Sequence, residues 1–144
     1  MTSLLVPRQD SAKLEGGMAR VTGVGGIFFT CEDPKGLSDW YRRVLGFAVE
    51  DWGGVLFRPE REGPPQLVWG PFASDTNYFA PSRRDCMINF AVDDLDGMIA
   101  RLEEHGVTII GREDGDPNGR FAWFLDPANL KIELWEPKRH IMRE

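Results

Sequence analysis

The sequence predicts an α+β domain built from two βαβββ modules that pair into one mixed sheet. One pattern occurs in residues 21–72 and again in residues 86–138, with an amphipathic helix and short β-rich segments in each copy. Each copy also closes on a similar strand, at residues 67–71 and 133–137. A repeat of this kind fixes the architecture, because each strand of one copy has a counterpart in the other. Since one helix per module covers a single face of the sheet, the other face is left open.

The first strand of each copy is an apolar run that ends in acidic residues, at 27–33 and 87–94. Side chains of a strand alternate between its two faces, and we expect the wholly apolar set beneath the helix. That set is Ile27, Phe29, Cys31, Ile88, Phe90 and Val92. The mixed set, expected on the open face, is Gly26, Phe28, Thr30, Met87, Asn89 and Ala91.

Each helix carries its own start and stop signals. Asp33 is a favourable N-cap followed by Pro34, and Asp94 caps the second helix in the same way. Gly46 and Gly106 supply the left-handed residue that ends a helix. The apolar stripes of the two helices are Leu37, Trp40, Tyr41, Val44 and Leu45, and Leu95, Met98, Ile99 and Leu102.

The remaining strands are expected at residues 47–50, 54–57 and 66–69, and at 107–110, 120–125 and 130–135. Residues 126–129 suit a type I turn followed by a left-handed Asn129. Such a turn places Trp123 opposite Glu133 and Phe121 opposite Trp135, all on the open face. Ala122, Phe124, Ile132 and Leu134 then face the helix, whereas a one-residue slip would exchange the two sets.

The composition excludes several classes of function. A net charge of −6 argues against a nucleic-acid surface, and no apolar run is long enough to cross a membrane. Cys31 and Cys86 fit neither a metal spacing nor a disulfide framework, so we expect reduced thiols in a cytoplasmic protein. We expect residues 1–18 to be a flexible extension, 19–138 a single domain and 139–144 a charged tail.

Three segments carry the signature of a known superfamily: residues 33–34 with 40–47, residues 92–96, and residues 126–134. Over residues 21–137 the chain resembles the vicinal oxygen chelate superfamily, which includes glyoxalase I, extradiol dioxygenases, fosfomycin-resistance enzymes and bleomycin-resistance proteins. The resemblance implies a U-shaped mixed sheet with helices on the convex face and a site in the cup. It leaves the reaction open, because the superfamily contains both enzymes and non-catalytic binders.

Metal-dependent members of the superfamily place ligands on the first and last strands of each module. The matching positions here are Gly26, Leu67, Met87 and Glu133. Glycine and leucine offer no donor atom, a thioether favours soft metals, and one carboxylate falls short of the usual three protein ligands. We therefore expect neither a metal ion nor a cofactor.

The residues expected around the cup form a candidate ligand site. They are Phe28, Thr30, Trp69, Met87, Asn89, Phe121, Trp123, Glu133 and Trp135. A carboxylate among tryptophans is a candidate catalytic acid–base residue or the counter-ion of a cationic ligand. Glu133 is equally compatible with an inherited residue that is hydrogen-bonded to Asn89 or Thr30. The aromatic side chains are also compatible with a core, or with burial by a partner chain.

Two functions remain open. The first is a metal-independent small-molecule binding protein, similar to the bleomycin-resistance branch. The second is a glyoxalase-type lyase or isomerase, or a dioxygenase-like enzyme, that uses Glu133 as acid–base residue or as its sole inherited metal ligand. We expect residues 71–85 to be a linker, although they are long enough to cover the cup as a lid. We also expect a homodimer, because sheet edges need covering.

Overall fold

The computed structural model describes residues 19–58 and 67–138. Its helices are α1 (Pro34–Leu45) and α2 (Leu95–Glu104). Its strands are β1 (Val21–Cys31), β2 (Val55–Phe57), β3 (Leu67–Ala73), β4 (Cys86–Val92), β5 (Gly111–Asp116), β6 (Gly119–Leu125) and β7 (Lys131–Pro137). The expected N-terminal extension and charged tail lie outside the described residues.

All seven strands belong to one open mixed sheet with the order β2-β3-β1-β4-β7-β6-β5. The two modules meet where β1 and β4 pair antiparallel at the centre. On either side, β1 pairs in parallel with β3, and β4 with β7. This arrangement confirms the predicted α+β class. Within the described ranges, neither helix is both long and apolar enough to span a membrane.

The helix ends are those that the sequence predicts. Asp33 accepts a hydrogen bond from the Gly36 N–H, and Asp94 accepts one from the Gly97 N–H. Gly46 and Gly106 have φ values of 75° and 81°, a left-handed conformation that costs glycine little. The stripe of α1 is covered less than expected, because Trp40, Val44 and Leu45 are 45%, 53% and 59% exposed.

Two strand predictions are wrong. Residues 47–50 and 107–110 form no strand. In the second module, the first strand after α2 is instead β5. The backbone N–H groups of Phe47 and Val107 instead donate to Tyr41 and Leu102 in the preceding helices. These bonds satisfy carbonyl groups at the helix ends, which holds the start of each segment away from strand pairing.

The core lies between α2 and the sheet, and its composition confirms the predicted helix-facing sets of β4, β6 and β7. Its buried members are Ala19, Val92, Leu95, Met98, Ala122, Ile132 and Leu134, with Ile88, Phe90 and Phe124 among the side chains packed against them. The predicted hairpin register is also confirmed, since Phe121 pairs with Trp135 and Trp123 with Glu133. Asn129 adopts the expected left-handed conformation, with φ of 65°.

The prediction that Trp69 lies in the cup is wrong, and so is the match of Leu67 to a ligand position. Trp69 pairs with Ile27 and packs against α1, with its ring centroid 4.8 Å from that of Tyr41. Gly70, rather than Leu67, occupies the position that corresponds to Glu133. This follows because Phe28 pairs with Gly70 as Asn89 pairs with Glu133, and Phe28 and Asn89 are counterparts in β1 and β4. The alignment of the two tryptophan-containing strands is therefore wrong by three residues, and an odd shift exchanges the two faces.

Candidate functional site

Glu133 lies in the middle of β7 and is only 3% exposed. Its direct neighbours across the sheet are Asn89 on β4 and Trp123 on β6. Residues that pair directly in a sheet project from the same face, so these three side chains form one row across three strands. The row continues to Gly26 on β1, which pairs with Asn89. The predicted alternation of β4, β6 and β7 is thus what brings the cluster together.

Three neutral donors hold the Glu133 carboxylate. Asn89 Nδ2 donates to Oε1 at 2.6 Å, while Trp123 Nε1 donates to Oε2 at 2.7 Å and Tyr78 Oη donates to Oε2 at 2.5 Å. No ion pair within residues 19–58 and 67–138 includes Glu133. These hydrogen bonds replace the water that burial removes from the carboxylate, but they leave its charge without a paired cation.

Tyr78 remains a proton donor in this environment. Burial, followed by the negative charge of Glu133 and the hydrogen bond to it, raises the pKa of Tyr78 far above its ordinary value. Lys131 lies beside the pair, with Nζ 5.2 Å from the Tyr78 ring centroid and 5.7 Å from that of Trp123. Burial lowers the pKa of Lys131, and the charge of Glu133 acts in the opposite direction. The carboxylate and the ammonium group therefore both lie next to the Tyr78 and Trp123 side chains.

The segment between the modules covers this part of the open face, which corrects the expectation of a simple linker. Lys131 Nζ donates to the Tyr78 carbonyl oxygen at 2.6 Å. Ser82 Oγ donates to the Asn129 carbonyl oxygen at 2.7 Å, and Arg84 donates to that of Ala128 at 2.9 Å. The segment is therefore fastened to the β6–β7 hairpin, and it carries Tyr78 to the site.

Tyr78 is the site residue that sequence reasoning missed. The available signal was two adjacent aromatic residues, Tyr78 and Phe79, in a connecting segment that is otherwise largely polar and small. The alternation of side chains predicts the face of a strand on which each residue lies. No comparable pattern indicates where an irregular segment crosses the sheet.

The other predicted site residues fall into four groups. Phe121 stacks between Trp123 and Trp135, with centroid distances of 6.2 and 6.3 Å. Phe28 and Met87 pair on the open face, but the contacts of Glu133 are with other residues. Thr30 makes no hydrogen bond to Glu133, so only the Asn89 part of that prediction is confirmed. Trp69 lies on the opposite face.

The donor set does not fit a divalent metal site of the kind found in metal-dependent relatives. Within the described residues, no three His, Cys, Asp or Glu side chains come together. The first module offers Gly26 and Gly70, and the ring of Phe28 fills the space beside both. A Cβ atom at either glycine would lie 2.8 Å from a carbon of that ring. The second module offers Met87 and Glu133, whose carboxylate already accepts three hydrogen bonds.

Comparison with known proteins agrees with this fold. A family model described as a glyoxalase-like domain matches residues 26–135. The uncharacterized protein YaeR of Escherichia coli strain K12 is 32% identical over 111 residues, covering 67% of this chain and 82% of that protein.

Two solved structures are similar in fold. Methylmalonyl-CoA epimerase from Mycobacterium tuberculosis gives a TM-score of 0.56 at 21% identity, covering 86% of this chain and 93% of that one. The second is 2,2',3-trihydroxybiphenyl 1,2-dioxygenase from Sphingomonas wittichii strain RW1, with a TM-score of 0.55 at 21% identity. That match covers 83% of this chain and 42% of the dioxygenase.

Proposed function

Because this chain belongs to the glyoxalase-like domain family, we propose that it binds a small planar molecule around Glu133 without a divalent metal ion. The supporting observation is a buried carboxylate held only by neutral donors. An ionised carboxylate offers about four acceptor positions, and Tyr78, Asn89 and Trp123 use three of them. One N–H or O–H group of a ligand can take the fourth. The stacked rings of Phe121, Trp123 and Trp135 provide an aromatic surface beside it.

The charge of the site favours neutral and cationic ligands. Glu133 forms no ion pair within the described part of the chain, and the whole chain carries a net charge of −6. Lys131 lies nearby but donates its hydrogen bond to the Tyr78 carbonyl oxygen. A cationic ligand would give Glu133 a directly bonded counter-charge and would make a stronger hydrogen bond than a neutral one.

Binding is tested by titrating planar ligands that carry an N–H or O–H donor while following tryptophan fluorescence. Glu133→Gln, which removes the charge with little change in volume, should weaken cationic ligands more than neutral ones. Glu103→Gln makes the same change at an exposed position of α2 and is the matched control. Equal affinities in the wild type and the Glu133→Gln variant would refute the proposed role of the carboxylate.

Metal independence is tested separately by elemental analysis of the purified protein. We expect no zinc, nickel, iron or manganese at one equivalent per chain. A stoichiometric metal that disappears in the Glu133→Ala variant would contradict the proposal, because it would mean that the carboxylate is a metal ligand.

The second candidate is an enzyme that uses Glu133 as its acid–base residue. The observation that favours it is the Tyr78–Glu133 hydrogen bond, which places a proton donor next to the carboxylate. Proton abstraction from a carbon atom of a bound ligand would exchange that carbon-bound hydrogen for deuterium in D₂O, whereas simple binding would not. Exchange that is abolished in Glu133→Gln, with binding retained, would favour the enzyme over the binding protein.

A further inference from the structure

The ring and the hydroxyl group of Tyr78 are held by neighbouring side chains. One of its faces stacks on Phe72, at a centroid distance of 5.5 Å and an interplanar angle of 9°. Trp123 meets it edge-on at 6.4 Å and 87°, and Lys131 Nζ lies 5.2 Å from its centroid. Its hydroxyl group donates to Glu133. These four residues, Phe72, Trp123, Lys131 and Glu133, form a slot that matches the shape, π faces and hydroxyl group of a phenol.

Tyr78 nevertheless lies outside the strands and helices. It is 38% exposed, whereas its neighbour Phe79 is 3% exposed and anchors the segment. Lys131 binds the Tyr78 carbonyl oxygen, and Thr76 Oγ1 accepts from the Tyr78 N–H at 3.2 Å. The side chain can therefore leave the slot without breaking any strand pairing and with Phe79 still buried.

We propose that Tyr78 is an internal occupant of the ligand site, and that the ligand is a phenolic molecule whose ring and hydroxyl group take its place. This inference rests on the proposed binding function and adds its ligand class. A tethered side chain competes with the ligand at high effective concentration. The apparent affinity of the wild type is therefore the affinity of the open slot multiplied by the fraction of molecules whose slot is open. Removal of the Tyr78 ring should raise that affinity.

The test compares p-cresol and toluene as probes of the wild type, Tyr78→Ala and Tyr78→Phe, with tryptophan fluorescence as the readout. We expect Tyr78→Ala to bind p-cresol at least about tenfold more tightly than the wild type, because the slot is open in every molecule. Toluene should bind Tyr78→Ala about tenfold more weakly than p-cresol, because it leaves an acceptor of Glu133 unpaired. Tyr78→Phe keeps the ring but loses the hydroxyl group that pairs with Glu133, so its gain for p-cresol should be smaller than that of Tyr78→Ala.

Three results would overturn the inference. The first is no saturable p-cresol binding by a folded Tyr78→Ala protein, and the second is equal p-cresol affinity in Tyr78→Ala and the wild type. The third is equal p-cresol affinity in Tyr78→Ala and in the double variant that also carries Glu133→Gln. If circular dichroism shows that Tyr78→Ala is unfolded, Thr76→Ala replaces it, because Thr76 anchors the Tyr78 N–H from outside the slot and its loss should raise p-cresol affinity with Tyr78 in place. No gain in Thr76→Ala would then overturn the inference.

The same data separate this inference from the proposed function. If the wild type binds planar ligands in a Glu133-dependent manner and Tyr78→Ala gives no gain, the proposed function stands and the role of Tyr78 is refuted. If Glu133→Gln changes no ligand affinity in either background, both are refuted.

Discussion

At the residue scale, the central fact is that the buried charge of Glu133 is solvated by the protein itself. A residue inherited from a lost metal site needs no such set of donors, and its replacement by an apolar residue often stabilises a protein. Here the carboxylate accepts hydrogen bonds from Tyr78, Asn89 and Trp123 together. Its removal would therefore leave buried donors without an acceptor, and buried unsatisfied donors are costly.

Replacement of Glu133 by leucine tests this view. We expect Glu133→Leu to lower the free energy of unfolding by about 2–5 kcal/mol, because the Asn89 amide and the Trp123 indole N–H lose their acceptor in a buried site. Urea unfolding measures the change, with Glu103→Leu on exposed α2 as the control. An unchanged or raised stability would identify Glu133 as a dispensable buried charge.

Tyr78 should make stability depend on alkaline pH. Its pKa is raised in the folded protein above the ordinary value of 10.0, so the folded state holds the phenolic proton more tightly than the unfolded state does. The resulting stabilisation is fully present below pH 10 and is lost as the pH rises beyond it. The wild type should thus lose unfolding free energy above pH 10 faster than Tyr78→Phe does.

The difference between these two proteins isolates Tyr78, because Lys131, whose pKa burial lowers, is present in both. Tyr41→Phe, which changes the other tyrosine of the chain, is the matched control. Parallel curves for the wild type and Tyr78→Phe would mean that Tyr78 titrates alike in the folded and unfolded chains.

At the element scale, the parts that could be predicted from the sequence are those fixed by a nearby helix cap or turn. The helix ends follow from Asp and Gly caps, and the β6–β7 register follows from the turn that ends at Asn129. β3 has no such turn or cap, because a long connection precedes it and only its Trp-containing pattern indicates the alignment. That alignment is wrong by three residues, and Trp69 therefore lies on the face opposite to the predicted one. Tyr78 lies in an irregular segment, where neither a cap nor strand alternation predicts its position.

Two glycines of β1 provide a matched pair for testing how tightly the strand packs behind the site. A Cβ atom at Gly25 would lie 2.3 Å from Asn89 Oδ1 and 3.0 Å from a Trp135 ring carbon, whereas one at Gly23 meets nothing within 4 Å. Gly25→Ala should therefore displace Asn89 and cost about 1–3 kcal/mol of stability, as overpacking commonly does. Gly23→Ala should be close to neutral or slightly stabilising.

Thermal unfolding measures the stability of Gly25→Ala, and the ligand titration measures its Glu133-dependent binding. Stability and Glu133-dependent binding should fall together, since Asn89 is both a packing neighbour of Gly25 and a donor to the carboxylate. Equal stability of Gly23→Ala and Gly25→Ala would show that β1 can shift to make room.

At the scale of the whole molecule, the two modules share a backbone plan but differ in what they offer chemically. The first module has Phe28 packed over Gly26 and Gly70, while the second has Asn89 and Glu133 in the corresponding region. Within residues 19–58 and 67–138, the repeat therefore provides one polar cluster on the open face rather than two. A single chain should accordingly bind one ligand molecule.

Native mass spectrometry tests this stoichiometry together with the proposed homodimer. The sheet ends at β2 and β5, and edge strands present unpaired backbone groups that proteins commonly cover. We expect a particle of twice the 16.3 kDa chain mass that takes up two molecules of ligand. A monomer at micromolar concentration would refute the dimer and leave the stoichiometry per chain unaffected. Two ligands per chain would contradict the view that the first module has lost its site, since Phe28 would have to move away from Gly26 and Gly70 to admit the second.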